Sequence, residues 1–301
     1  MIYSCKTEKM TRITFSAIAT FVVILFFHAC QPAIDREKPV VSVSILPVQY
    51  FIDQLTDASV EVNVMVPAGA SHATYSPTPG QLRRLSDSDI YFRIGHLGYE
   101  KAFLPRLSEI NPDMHMVNLS EGLKLIVGEE IDHGDHVHEG GIDPHIWMSP
   151  AVVLSFLPEI KQALIDVYPE MEDIVERNYR VLVDAIEHVH VSMGDLADEL
   201  EKKTFLIFHP ALTYLARDYG FVQIAIERHG KEPSPALLRH IINEARLHGV
   251  SVIFIQQEFD VRSAELVSQE TGASLVQINP LAYDWLAGMN HIMDVFKQNL
   301  Q

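Results

Sequence analysis

The chain has 301 residues, enough for one large domain or two ordinary ones. Hydrophobic residues make up 48%, a composition that excludes a disordered chain. The formal charge of -17, with no basic stripe anywhere, excludes a nucleic-acid partner held by charge and suits a protein that meets cations.

The N-terminus reads as a processing segment. Lys6, Lys9 and Arg12 precede "ITFSAIATFVVILFF", an apolar run of 15 residues from Ile13 to Phe27. That is short for a transmembrane helix. "FHAC" follows and resembles a degenerate bacterial lipobox, with Phe27 where Leu is usual and Cys30 as the lipidated residue. Residues 1–29 are therefore expected to be a lipoprotein signal peptide; Met10 offers an alternative start. Cleavage leaves Cys30 as the only cysteine and a balance of -19. No disulfide framework and no Cys-based metal site are then available, so any metal must be held by His, carboxylate or water.

Residues 30–39 read as a tether. "VVSVSIL" (40–46) is a β-branched run that predicts a buried strand, and Pro47 opens a helix. "SVEVNVMVP", "DIYFRIG" and "DMHMVNLS" predict three more strands, separated by connections too long for hairpins. "TFLIF", "FVQIAIE", "VSVIFIQ" and "ASLVQI" repeat the rhythm after residue 203. Alternating strands and helices predict α/β lobes at 40–168 and 204–301, each a mostly parallel sheet flanked by helices.

Between them no proline interrupts Glu170 to Lys203. Met171, Ile174, Asn178, Leu182, Ile186, Val189, Met193, Leu196 and Leu200 recur three or four apart. This predicts one amphipathic linker helix over 169–203, of about nine turns and on the order of 50 Å. It would act as a strut that resists wide hinge motion. Ligands of open α/β sheets bind beyond the carboxyl ends of the strands, so facing lobes make a cleft.

Three histidines stand where that cleft would be: His72 in "PAGASHATYSPTP", His145 in "DPHIWMSP" and His209 in "FLIFHPAL". Two come from the first lobe and one from the second. Singly, each reads as an ordinary hydrogen-bonded histidine. Together, three imidazoles with water or an oxygen ligand suit Zn²⁺.

"VMVPAGASHATYSPTPGQLRRLSDSDIYFRIGHLGYE", "DPHIWMSP", "FHPALTYLARDYGF" and "EPSPALLRHIINEARLHGVSVIFIQQEF" resemble the zinc-binding solute-binding proteins of bacterial ABC transporters, the ZnuA/TroA-like class, from about residue 40 to the end. The resemblance implies two α/β lobes joined by a rigid helix, with metal between them on His72, His145 and His209. It implies extracytoplasmic Zn²⁺ binding rather than catalysis, delivery to a metal ABC transporter permease, a membrane anchor through the lipid on Cys30, and a monomer. Manganese-preferring members tend to carry Glu at the third position, so His209 points to zinc. The chain departs from the class in "INPL", where Asn279 replaces a usual Asp, and in "FIQQEF", where Gln256 and Glu258 exchange the usual order. The fourth ligand is then water, Asn279 or Asp284.

Upstream of His145, Glu129, Glu130, Asp132, His133, Asp135, His136, His138 and Glu139 form a His/acid loop over 129–139. It reads either as a weak zinc-capture tract or as a solvated loop. Asp143 either orients His145 or caps a turn. His188, His190, His229, His240, His248 and His291 read as structural or surface residues, and His96 as a cleft neighbour. The rival readings are a manganese carrier, a surface adhesin and a zinc hydrolase; the last lacks an HExxH motif.

Overall fold

Eight strands carry the architecture of the computed structural model, which describes residues 38–128, 131–132, 137–138, 141–227 and 233–301. The expected signal peptide, Cys30, Glu129, Glu130, His133, Asp135, His136, Glu139 and His229 lie outside the described residues. Asp132 and His138 are described by backbone alone, in the short antiparallel pair β5 (Ile131–Asp132) and β6 (Val137–His138).

The first sheet contains β1 (Val40–Ile45), β2 (Glu61–Val66), β3 (Ile90–Arg93) and β4 (His115–Asn118), in the order β2-β1-β3-β4, all parallel. The second contains β7 (Thr204–Ile207), β8 (Val222–Ala225), β9 (Val252–Ile255) and β10 (Ser274–Gln277), in the order β10-β9-β7-β8, also parallel. Counted from the first strand of each lobe, both sheets read 2-1-3-4. Each therefore has its topological switch point between its first and third strands.

The helices are α1 (Leu46–Thr56), α2 (Pro79–Ser86), α3 (Gly98–Ile110), α4 (Pro150–Val167), α5 (Glu172–Glu199), α6 (Thr213–Tyr219), α7 (Pro235–Leu247), α8 (Arg262–Thr271) and α9 (Trp285–Asn299). Local chemistry sets several starts. Thr78 and Gln81 form a reciprocal capping box on α2, and Ser234 accepts from Leu237 N ahead of Pro235 on α7.

The central strands β1, β3, β7 and β9 are largely buried, while the edge strands β4, β8 and β10 are partly exposed. On β7, Phe205 and Ile207 face a large apolar cluster, while Leu206 and neighbouring Phe208 face a smaller one with Ile241, Ala245, Ile253 and Val267. The large cluster runs without a break from Val41, Phe51 and Phe92 through Ile186 and Met193 to Phe254 and Phe296. Residues 38–301 form one compact unit.

The linker helix is shorter than its apolar stripe suggests. Pro169–Met171 forms a separate 3-10 turn, and α5 then runs 28 residues, about 42 Å at 1.5 Å per residue. It stops because buried Leu200 turns extended and leads the chain toward β7. The helix packs against α1, α4 and α9. Asn178, the polar member of the stripe, donates to Leu55 O at 3.3 Å and Asp57 Oδ1 at 2.7 Å, which closes the end of α1.

A buried carboxylate organises the switch point of the first sheet. Glu100 accepts from Ser44 Oγ (2.5 Å) and from the backbone N–H of Ile94 (2.9 Å), Gly95 (2.6 Å) and Leu97 (3.2 Å). Gly95 has φ 101, and a Cβ there would collide with Asn118 Oδ1 and Ser120 Oγ, so only glycine fits.

Candidate metal centre

Each histidine of the expected triad leaves the end of an ordered element. His72 sits in the loop after β2, which is pinned by Gln81: its Nε2 donates to Val64 O (2.9 Å) and Met65 O (3.0 Å), and its Oε1 accepts from Tyr75 Oη (2.7 Å). His209 directly follows Phe208 at the carboxyl end of β7. Gln256, at the end of β9, accepts from His209 N (3.2 Å) and donates to His209 O (2.9 Å). Phe259 stacks on the His209 ring at 4.7 Å.

His145 precedes a 3-10 turn at Ile146–Met148. Although it comes before α5 in the chain, its segment is fastened to the second sheet's elements. Trp147 Nε1 donates to Pro280 O (2.8 Å), and Trp285 Nε1 to Trp147 O (2.7 Å). Tyr214 Oη donates to Asp143 O (2.8 Å), and Ser149 Oγ to Asp218 Oδ2 (2.5 Å). His145, which precedes α5 in the chain, is thus held by residues of the second lobe's elements, while His72 follows a strand of the first sheet.

The three rings converge. Their centroids are 4.7 Å (His72–His145), 5.2 Å (His72–His209) and 5.1 Å (His145–His209) apart, and one nitrogen from each lies within 4.8 Å of the others. All three residues are buried, at 4%, 2% and 8% exposure. A carboxylate stands behind two of the rings. His145 Nδ1 lies 2.8 Å from Asp143 Oδ1, which also accepts from His145 N at 2.9 Å. His209 Nδ1 lies 3.2 Å from Glu227 Oε2. Both Nδ1–H groups are thereby engaged, and the two Nε2 atoms face each other at 3.3 Å. Two lone pairs at that distance repel unless a proton or a cation lies between them. A tetrahedral ion with bonds of about 2.0–2.1 Å spans an edge of roughly 3.3–3.4 Å, which this separation matches. His72 Nδ1 is the only buried side-chain nitrogen or oxygen among the described residues that has no hydrogen-bond partner. Leaving such a group unpaired costs about 1–3 kcal/mol.

The electrostatics favour neutral rings at His72 and His145. Burial lowers the His72 pKa well below the ordinary value, and the charges of His145 and His209 lower it further. Burial also lowers His145, against the opposing pull of Asp143. Burial pushes Asp143 up, but the charge and hydrogen bonds of His145, with help from Thr213, leave it net lowered and ionised. Glu258 lies half-buried nearby, where burial raises its pKa and the charge of His209 opposes the shift.

The triad opens into a cavity of about 720 Å³ lined by residues of both sheets' loops and by α7. Asn279 and Asp284, the expected fourth ligands, do not line it. Asn279 is exposed and accepts from Leu281 N (3.0 Å), and Asp284 caps α9 by accepting from Ala287 N (3.0 Å). Each oxygen is held by its own turn. His96 does line the cavity, as expected of a cleft neighbour. His190 Nδ1 lies 2.7 Å from Oη of Tyr219, the last residue of α6, away from the cavity lining. Glu227 is the residue that sequence reading missed. It closes the apolar run "FVQIAI" at the end of β8, beside the strand that delivers His209, and that position was its signal.

Two parallel sheets of the same order, a helix spanning both and imidazoles at the carboxyl ends of strands define a two-lobed solute-binding protein. The chain belongs to the family described as "Zinc-uptake complex component A periplasmic", whose model it matches over residues 41–300. It is similar to the high-affinity zinc uptake system protein ZnuA of Bacillus subtilis (strain 168), 27% identical over 277 residues, covering 88% of this chain and 86% of that protein. It is also similar to the zinc-binding lipoprotein AdcA of Streptococcus pneumoniae (strain R6), 26% identical over 305 residues; the match covers 95% of this chain but 59% of AdcA. A crystal structure of ZnuA superposes with a TM-score of 0.79 at 31% identity, covering 88% of this chain and all of that one.

Proposed function

We propose that His72, His145 and His209 bind one Zn²⁺ ion as cargo, and that the chain carries it outside the cytoplasm to the permease of an ABC transporter. The observation that carries this is the pairing of two buried Nδ1–H groups with carboxylates, which aims two Nε2 lone pairs at one point with His72 beside them. Asp143 and Glu227 fix the ring orientation and the tautomer that coordinates. Together they offset the charge of a dication in a buried site. All-nitrogen donors favour zinc over manganese, which prefers oxygen. Water completes the fourth position.

A hydrolase would need a general base beside that fourth position. Asp143 and Glu227 are instead turned to the far nitrogens of their histidines. Binding and release, not turnover, is what such a site does. Family membership and the Cys30 motif support an exported lipoprotein, anchored at the membrane where the permease lies. Among the described residues no helix is long and apolar enough to cross a membrane.

Calorimetric titration of the chain with Zn²⁺ and then Mn²⁺ tests the reading. One tight zinc site that manganese does not displace is expected. A site that prefers manganese would keep the carrier and change its cargo; no tight site would overturn the proposal.

A further inference from the structure

The helix that grows out of the His209 segment also holds Asp143. Ala211 N donates to His209 O (2.7 Å) and Leu212 N to Gln223 Oε1 (2.8 Å), so α6 starts from a fixed point just past the histidine. Tyr214, in its first turn, is fully buried, and its hydroxyl reaches a segment 71 positions back in the chain. There residues 126–128 and 141–143 run antiparallel. Val127 bridges Ile142, Gly128 N donates to Gly141 O (2.9 Å), and Asp143 N donates to Ile126 O (2.9 Å).

A hydrogen-bonded antiparallel pair ordinarily exchanges two bonds. Ile126 and Asp143 make one of them directly. The Tyr214 hydroxyl stands in for the other: it accepts from Ile126 N (3.2 Å) and donates to Asp143 O (2.8 Å). The next residue, Pro144, has no N–H to extend the ladder and fixes its own φ. The Asp143 carboxylate meanwhile accepts from His145 N (2.9 Å) and lies 2.8 Å from His145 Nδ1. One residue is thus held at both ends, by Tyr214 at its carbonyl and by a proposed ligand at its side chain.

We propose that Tyr214 is a positioning residue for the metal centre: its hydroxyl fixes Asp143, and through Asp143 it aims His145 Nε2 at His209 Nε2. Because Tyr214 and His209 belong to one continuous segment, that segment sets the 3.3 Å separation of the two facing nitrogens. Without the hydroxyl, Ile126 N and Asp143 O either close on each other or stay unpaired, and Asp143 shifts in both cases. Functional groups have to be held within about 0.5 Å of their working geometry, so the shift weakens the site. This role presupposes that the triad is the cargo site.

Tyr214→Phe removes the oxygen and keeps the buried ring. Tyr219→Phe is its control: the change and the helix are the same, but that hydroxyl lies 2.7 Å from His190 Nδ1 instead. Each variant is read by zinc competition against a chelator, by the visible spectrum of Co²⁺ bound in place of zinc, which reports ligand geometry, and by metal-free melting. Tyr214→Phe should bind zinc about 10-fold more weakly, at the low end for loss of a group behind a ligand, and its cobalt spectrum should change. Tyr219→Phe should match wild type in both, whatever its melting temperature. His209→Ala should lose the tight site. Wild-type affinity or an unchanged cobalt spectrum in Tyr214→Phe, or an equal change in Tyr219→Phe, would overturn the role of Tyr214 and leave the triad standing. Tight binding retained in His209→Ala would overturn the triad, and the role of Tyr214 with it.

Discussion

Glu227 gives the account a sharp test, because it pairs with the far nitrogen of a proposed ligand rather than with the nitrogen that faces the ion. Its carboxylate lies 3.2 Å from His209 Nδ1 and is 4% exposed. An imidazole ring separates it from the Nε2 that faces His145. Replacing Glu227 with Gln keeps the size and one acceptor oxygen but removes the charge that holds the His209 proton on Nδ1. Loss of such a partner typically costs 10–100-fold in metal affinity, or about 1.4–2.7 kcal/mol. The assay is competition for zinc against a chromophoric chelator of known affinity, run beside thermal unfolding of the metal-free variant. We expect weaker zinc binding by that factor with the metal-free melting temperature shifted by no more than a few degrees. Zinc affinity equal to wild type would refute the argument that a carboxylate sets the tautomer of His209.

Three further outcomes follow. His72→Ala should lower zinc affinity by at least about 100-fold, since two imidazoles remain, and equilibrium dialysis reads this directly. Trp147→Phe removes the donor to Pro280 O and leaves a buried carbonyl unpaired, so urea unfolding should show a loss of roughly 1–3 kcal/mol. Burial raises the folded pKa of Glu100 above its ordinary value of 4.5, although four hydrogen bonds oppose the shift. A raised folded pKa means that the folded state takes up the proton more readily, so this contribution is full below about 4.5 and fades as pH rises through the folded value. The stability of wild type relative to Glu100→Gln should therefore fall from pH 4 toward neutrality; a rise would contradict the assignment.

The sheet strands were legible as β-branched or alternating runs, most clearly the central strands β1, β3, β7 and β9, whose burial leaves little room for polar residues. The triad was legible because prolines and small residues flank His72, His145 and His209 and fix the backbone around them. What the sequence concealed was mechanical. Nothing local in "DPHIWMSP" says that Trp147 donates to Pro280 O or that Tyr214 holds Asp143, since these contacts join residues 133 and 71 positions apart. Asn279 and Asp284, named with water as fourth-ligand candidates, each accept a hydrogen bond within their own turn and do not line the cavity. The end of α5 was overrun because an apolar stripe continues through Leu200 after the helix has stopped.

The central claim is that three imidazoles hold one zinc ion. X-ray absorption at the zinc edge, on the chain loaded with less than one equivalent, tests it most directly. The account predicts about four light scatterers at about 2.0–2.1 Å, with the outer-shell signature of three histidine rings. A six-coordinate, oxygen-rich shell, or fewer than three imidazoles, would contradict it.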